Sequence, residues 1–503
     1  MSTIERGTAS EISLERVRIT VSTEIELKLE IDPGDLPLVR QNPLLAAAES
    51  HSTHQVSVYY DTPETALKKH GLTLRVRSIE GRFIQTIKGV TDNVGLVSRE
   101  EIECEVASIR PDLAALPEHP VHGCISDHDA ASLKEIIRSE VERTTWLIDL
   151  GNGRIQLDLD SGTMIAGKRS TEFAELELEL REGPPVILIM AARRISDYSP
   201  VRLGVLTKAN RGFRLAEKEH SKAYKAGPVK VAAGMTVGQA FETIVHACLK
   251  HYRLNEPLVI HKRNPSALHQ ARVAMRRLRS ALTLFRPAVE DVEYQHLRHE
   301  LRWFTAQLGD ARNLDVYLER DLPSEERNQL MLKQERAYDH VADAMNSHKF
   351  RRLLIDLVGW CAIGSWRSGR LAQRPIQSFA NRRLDRLWRT VTDAGRNLVA
   401  MDETERHALR IQIKKLRYAT EFLENIYVEA RSSERRFASA LEELQEALGK
   451  LNDMTTARLF GAAPIEENWL IGSPGERRHV LSAEEALRDL LRTGPFWRSY
   501  EEV

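Results

Sequence analysis

Between residue 23 and about residue 215, hydrophobic and polar positions alternate with a period of two, as in strands that show one face to a core and the other to a polar environment. Eight such stretches stand out, at 24–31, 56–60, 72–79, 83–88, 96–106, 144–150, 154–160 and 173–181. Gly151-Asn152-Gly153 separates two of them and reads as a tight hairpin turn. Eight strands joined by hairpins predict a closed antiparallel barrel, with short helices near 43–49, 132–141 and 187–196. Residues 217–234 (EKEHSKAYKAGPVKVAAG) are small, polar and broken by Gly and Pro, as an interdomain linker is. From residue 237 the period lengthens to that of amphipathic helices. The fold class read from this pattern is multidomain α+β: a tail at 1–22, an eight-stranded antiparallel β-barrel domain at 23–216, a linker at 217–234 and an all-α domain at 235–503.

The helical half repeats itself. His269-Gln-Ala-Arg272-Val-Ala-Met-Arg276-Arg277-Leu-Arg279 recurs at the same offsets as His407-Ala-Leu-Arg410-Ile-Gln-Ile-Lys414-Lys415-Leu-Arg417. Each copy precedes a Leu-Gly element, Leu308-Gly-Asp-Ala-Arg312-Asn or Leu448-Gly-Lys-Leu-Asn452-Asp. Duplication is the simplest account. At about 100° per residue, His269, Arg272, Arg276 and Arg279 fall within about an 80° arc, opposite Ala271, Met275, Leu278 and Leu282. His407, Arg410, Lys414 and Arg417 map the same way. Residues 261–286 contain no Asp or Glu. Like-charge neighbours that cost roughly 0.2–0.5 kcal/mol per pair therefore find no relief within the helix. Acids on a neighbouring helix, or an anion from outside, would supply it. One histidine per motif among cations does not suit a divalent metal.

Composition narrows the classes. Across 503 residues, 42% are hydrophobic and 29% charged, as in globular proteins, and no apolar run approaches the ~18 residues that span a bilayer. Glu5, Arg6, Glu11, Glu15, Arg16 and Arg18 interrupt the start of the chain, unlike a signal peptide. Cys104, Cys124, Cys248 and Cys361 lie far apart without CxxC spacing, which fits a reducing cytoplasm better than a disulfide framework or a zinc site. The net charge of zero hides an asymmetry: residues 1–220 hold 27 Lys and Arg against 35 Asp and Glu, and the remainder 45 against 37. A carboxylate excess beside a cationic excess suits a metal-binding site joined to an anion-binding surface.

In Glu24-Ile-Glu26-Leu-Lys28 the charged residues share one strand face, with neighbours about 7 Å apart. The same device recurs at Arg75 and Arg77, Thr86 and Lys88, Arg99, Glu101 and Glu103, and Glu175, Glu177 and Glu179. Taken singly, each run reads as the solvated face of a half-exposed strand. Together they imply carboxylates for hard cations and Arg or Lys for phosphate oxygens. Glu100 beside Glu101 leaves that strand's phase open by one residue, and Glu179 is a further candidate to face inward.

As an ordered set, this pattern resembles the CYTH domain of the triphosphate tunnel metalloenzymes. The resemblance runs through Tyr60-Asp61-Thr62, Leu74-Arg75-Val76-Arg77, Thr86-Ile-Lys88-Gly89, Arg143, Asp160-Ser-Gly162 and Leu206-Thr-Lys208-Ala-Asn-Arg211-Gly-Phe. It implies a tunnel in which Lys28, Arg75, Arg77, Lys88, Arg99, Arg143 and Lys208 grip a triphosphate. Glu24, Glu26, Glu101, Glu103, Asp160, Glu175 and Glu177 would bind Mg²⁺ or Mn²⁺, with hydrolysis as the expected outcome. Glu24, Glu26 and Lys28 are the expected catalytic group, and whether Lys28 also activates water stays open. The helical half resembles the CHAD domain. That resemblance implies two related bundles about a pseudo-twofold axis that bind inorganic polyphosphate, and with it an association with polyphosphate granules. Lys262, Arg263, His269, Arg272, Arg276, Arg277, Arg279, His407, Arg410, Lys414, Lys415 and Arg417 are the expected contacts, with Arg312 and Asn452 as lesser ones. Alternative readings are a tunnel enzyme for ATP or thiamine triphosphate and a non-catalytic polyphosphate binder. Nucleic-acid binding has no recognisable motif behind it. His51, His54, His119 and His122 read as surface residues.

Overall fold

The computed structural model describes residues 12–14, 17–89, 94–115, 130–459 and 473–499. Its strands are β1 (Ile12–Leu14), β2 (Val17–Ile31), β3 (Ser50–Asp61), β4 (Leu72–Ile79), β5 (Arg82–Gly89), β6 (Val97–Val106), β7 (Lys134–Asp149), β8 (Arg154–Ala166), β9 (Arg169–Glu182) and β10 (Arg202–Leu203). Neighbours follow the order β2-β6-β5-β4-β3-β7-β8-β9, and β9 pairs back onto β2, so eight antiparallel strands close into a ring. The short β1 and β10 both pair with β2.

One expected element is wrong. Residues 134–149 form a single strand, so the helix expected at 132–141 does not exist there. Ile137, Ser139 and Val141 are buried while Glu140 and Glu142 are exposed, which is strand alternation carried by residues of good helix propensity. Pairing with β3 decides the matter, with an irregularity in register at Tyr59/Tyr60. The other two short helices form, as α2 (Pro43–Ala46) and α4 (Val186–Tyr198), together with α1 (Leu36–Arg40), α3 (Ala66–Lys69) and α5 (Lys208–Ala216).

The barrel is polar inside and apolar outside. Leu27, Leu29, Leu176 and Leu178 are buried on β2 and β9, across which α4 packs with Ile187, Leu188 and Ala191. Each such leucine contributes roughly 1.5–3 kcal/mol by leaving water. The alternate positions are thereby turned toward the lumen. Helix α5 buries Ala209, Phe213 and Leu215 against Tyr59, Ile137, Val141, Met164 and Phe173. Gly212 permits this approach, since any Cβ there would collide with the Ile137 side chain.

From Val237 the described residues hold α-helices and short 3-10 turns. The helices are α6 (Val237–Arg253), α7 (Glu256–Lys262), α8 (Pro265–Val289), α9 (Tyr294–Gln307), α10 (Gly309–Leu318), α11 (Ser324–Asn346), α12 (His348–Ile363), α13 (Ile376–Gly395), α14 (Glu403–Leu423), α15 (Arg431–Leu459) and α16 (Pro474–Thr493). By contact the chain divides into two compact units, one of residues 1–226, 246–275 and 299–364, the other of 227–245, 276–298 and 365–503. In the first, α12 binds α4 through Arg193–Asp356 and Arg352–Asp197, each at 2.7 Å. The second is built around aromatic contacts such as Trp388, Phe437 and Trp497. No helix among the described residues is long and apolar enough to cross a membrane.

Candidate active site

Period-two alternation in a closed ring sends every second side chain to the lumen. Glu24, Glu26 and Lys28 from β2, Arg75 and Arg77 from β4, Lys88 from β5, Glu101 and Glu103 from β6, Arg143 from β7, and Glu177 and Glu179 from β9 line one cavity of about 250 Å³. Lys208, in the first turn of α5, joins them. Lys88 pairs in register with Glu101 and Thr86 with Glu103, so Glu101 and Glu103 take the inward phase of β6. Asp160 and Glu175 lie just behind the lining, fully buried.

One side of the cavity is internally neutralised. Arg143 donates Nε to Asp160 and Nη1 to Asp158, both at 2.7 Å, and Nη2 to Asp160 at 2.6 Å and Glu177 at 2.7 Å. Lys208 Nζ binds Glu175 and lies 2.6 Å from Asp160 and 3.1 Å from Glu177. Lys28 binds Glu177 and lies 3.3 Å from Glu26. Burial alone would raise these carboxyls, but Lys208, Lys28 and Arg143 hold Glu177 well below its usual value, and Lys208 and Arg143 hold Asp160 down. Burial would likewise lower Lys28, yet Glu177 and Glu26 keep its ammonium above the ordinary value.

Elsewhere like charges crowd one another. Burial, with Arg75, Lys28 and Arg77 close by, pulls Lys88 down to about 7 although its Nζ contacts Glu101. Arg77 falls to about 10 through burial beside Arg75 and Arg143. Conversely, burial and the nearness of Glu24, Asp158 and Glu26 push Glu179 up to about 7. Glu179 stands directly opposite Glu26 on the paired strand, a like-charge pair that costs stability. Strands β4 and β9 are four places apart either way around the ring, so a cation-crowded wall faces a carboxylate-crowded one. Asp160, Glu175 and Glu177 offer oxygens all within 4.8 Å of one another, hard donors that suit a divalent cation.

The repeated helical motifs fall on α8 and α14. His269, Arg272, Arg276 and Arg279 are half-buried on α8, whereas Lys262 and Arg263 are exposed, Arg263 beside Asp339 at 2.5 Å. Arg277 does not belong on that face. It is buried, bound to Glu421 at 2.7 Å and stacked on Phe422, so its charge is spent inside the fold. Arg272 donates to the carbonyl of Leu308, and Arg410 lies near Gly449, so each repeat arginine sits beside its own Leu-Gly element. His407 is exposed, Lys414 and Lys415 half-buried, and Arg417 donates to Gln445 at 2.8 Å. A second cavity of about 250 Å³ lies between Arg406, His407, Arg410, Leu448 and Leu451.

Residues 22–213 match the CYTH domain and residues 243–461 match the CHAD domain. The chain is a CYTH domain followed by a CHAD domain. An inorganic triphosphatase of Haemophilus influenzae is 28% identical over 200 residues, 39% of this chain and 56% of the relative. The match thus spans about half the length of that curated relative. Among solved structures, the CHAD domain of the plant Ricinus communis is 26% identical with a TM-score of 0.43, covering 55% of this chain and 97% of its own. PptA from Streptomyces chartreusis is 17% identical with a TM-score of 0.33, covering 51% and 99%.

Several lining residues of the CYTH domain escape the sequence pattern. Asp158 and Gln156 precede Asp160 on β8 with the same alternation as Glu175, Glu177 and Glu179, a signal that Gln156-Leu-Asp158-Leu-Asp160 displays once looked for. Arg181, bonded to Glu179 and Gln156 at 2.7 Å each, continues the β9 series. Arg99 sits opposite Glu24 in the β2–β6 pairing, but its side chain, like those of Glu100 and Asn452, lies outside the described residues, as do His119, His122 and Cys124. His51 and His54 are exposed beside Glu80 and Glu142. In the CHAD domain Arg312 is half-buried on α10.

Proposed function

We propose that the CYTH barrel hydrolyses inorganic triphosphate with the help of Mg²⁺ or Mn²⁺, and that the CHAD domain binds inorganic polyphosphate. The observation that carries the first part is a single cavity lined by Arg75, Arg77 and Lys88 and by Glu24, Glu26 and Glu179, in which burial lowers the lysine and arginine and raises Glu179. A polyanion accompanied by a cation relieves both. Glu24, Glu26 and Glu179 would hold the cation, with Glu101, Glu103, Asp160, Glu175 and Glu177 behind or beside them. When bound, a divalent cation supplies charge neutralisation and polarises phosphoryl oxygens. Arg75, Arg77 and Lys88 bind phosphate oxygens, whose negative charge favours the protonated form of Lys88. Lys28 keeps its proton and serves as a phosphate-side cation rather than as a base. Arg143 and Lys208 hold the carboxylate wall in place. The H. influenzae relative supports the choice of inorganic triphosphate.

The test is phosphate release from tripolyphosphate, long-chain polyphosphate, ATP and thiamine triphosphate, each with Mg²⁺ or Mn²⁺ and with EDTA. Tripolyphosphate should lead and chelation should stop it. Binding without turnover would favour a non-catalytic polyphosphate binder, and a preference for ATP or thiamine triphosphate would overturn the substrate.

For the CHAD domain the support is the cationic face of α8, free of acids from 261 to 286, its repeat on α14 between Glu403 and Glu421, and the cavity beside His407 and Arg410. Arg276→Glu with Lys414→Glu should abolish most binding of long-chain polyphosphate by the whole protein. Affinity should also fall as salt rises. Equal affinity for DNA of matched charge would sink the specificity.

A further inference from the structure

A line of alternating charges leaves the floor of the CYTH cavity and ends in the CHAD domain. Lys208 binds Glu175. The other oxygen of Glu175 lies 3.6 Å from Arg211, whose Nη1 donates to Glu30 at 3.1 Å. The second oxygen of Glu30 accepts from Arg253 Nη2 at 2.9 Å, and Arg253 is the last residue of α6, within the CHAD match. Arg253 is fixed from behind. Its Nε donates to the Leu203 carbonyl of β10 at 2.8 Å, and it binds Glu256, which accepts from Tyr252 at 2.9 Å. Arg253 and Glu256 are each 2% exposed, so no solvent screens them.

The CYTH family match ends at residue 213, yet Glu30 lies between one arginine on either side of that limit. We infer that Arg253 of the CHAD domain is a positioning residue for the CYTH site, acting through Glu30, Arg211 and Glu175 to set Lys208 and the N-terminal turn of α5. Without Arg253, Glu30 keeps its pairing with Arg211 and the weaker pull of Arg202, and Arg211 is then drawn away from Glu175. Lys208 loses one side of its cradle. At the Arg253 and Glu256 end no water is at hand to replace a lost partner, so the displacement passes to Glu30, whose side chain is 28% exposed.

The inference rests on the proposed triphosphatase reading only for its kinetic arm. The full-length protein is compared with Arg253→Lys and with Arg253→Met/Glu256→Gln, the latter removing one charge of each sign so that no lone buried ion is left. Amide hydrogen exchange is followed at 208–216 and in β7, alongside KM and kcat for tripolyphosphate. Expected in the double variant are exchange in α5 faster by between about 2-fold and 30-fold, unchanged exchange in β7 and a raised KM, with Arg253→Lys closer to the unaltered protein. Unchanged exchange at 208–216 overturns the inference. So does acceleration spread equally over α5 and β7, which is plain loss of stability. If the unaltered protein releases no phosphate, the function proposal falls and the exchange result still decides this one.

Discussion

Glu179 ionises near neutral pH because Glu24, Asp158 and Glu26 crowd it in a buried place. Between its ordinary value and about 7, the folded protein keeps a proton that the unfolded chain has released, so stability falls as pH rises through that window. Lys88, drawn down to about 7, acts with the opposite sign above that value, so the measurement is a comparison: relative to the unaltered metal-free protein, Glu179→Gln should melt higher at pH 8 than at pH 6. Asp160 and Glu177 act with the opposite sign, since their depressed values give stability present above the ordinary carboxylate range and lost as pH falls below it. Arg143 has three carboxylates to satisfy, Asp158, Asp160 and Glu177. Arg143→Met should cost about 3–5 kcal/mol in urea denaturation. The exposed partner Arg181→Met should cost under ~1 kcal/mol. Glu24→Gln and Glu26→Gln keep side-chain shape but lose a hard ligand. Each should lower metal-dependent phosphate release by more than about 100-fold in steady-state turnover while the protein still melts as a folded protein.

At the scale of elements, α5 is the part that makes a ring of strands into a site, because its buried face fixes where Lys208 enters. Phe213→Ala should cost about 3–5 kcal/mol by leaving a cavity against Ile137 and Phe173, and should loosen the grip on tripolyphosphate as well. Calorimetric melting and a binding titration would show both. The strands were legible because a lumen lined by charge and an outer layer of leucine impose strict alternation, as in Glu175-Leu-Glu177-Leu-Glu179. Strand β7 was not. Lys134-Glu-Ile-Ile-Arg-Ser-Glu has the composition of a helix, and what makes it a strand is pairing with β3 and β8, which lie far away in sequence. The repeat on α8 and α14 was visible, but not that Arg277 turns inward to Glu421, since the acid sits 144 positions further on, a distance that helical periodicity does not read.

For the molecule as a whole, the sequence separates two domains at a change of period, while contact groups residues 246–275 and 299–364 with the barrel. The two descriptions differ because periodicity reports which elements form and packing reports what each is buried against. Arg253, Tyr252 and Glu256 show the difference, helical by pattern and buried beside Glu30 and Leu203. A fragment beginning at residue 235 loses those partners. It should melt at a lower temperature and less cooperatively than the intact protein, as circular dichroism would reveal.

Ring closure by β2 and β9 also has a price in time. Lys28 and Glu177 are 149 residues apart, so at ~5–20 residues per second β2 emerges roughly 7–30 s before the strand that closes on it. Through that interval the nascent strand has an open edge, the usual template for misassembly between chains. Glu24, Glu26, Lys28 and Glu30 punctuate it at every second position. Before Glu24, Glu26 and Lys28 line a cavity, charges at this spacing oppose pairing of the open edge with a neighbouring copy.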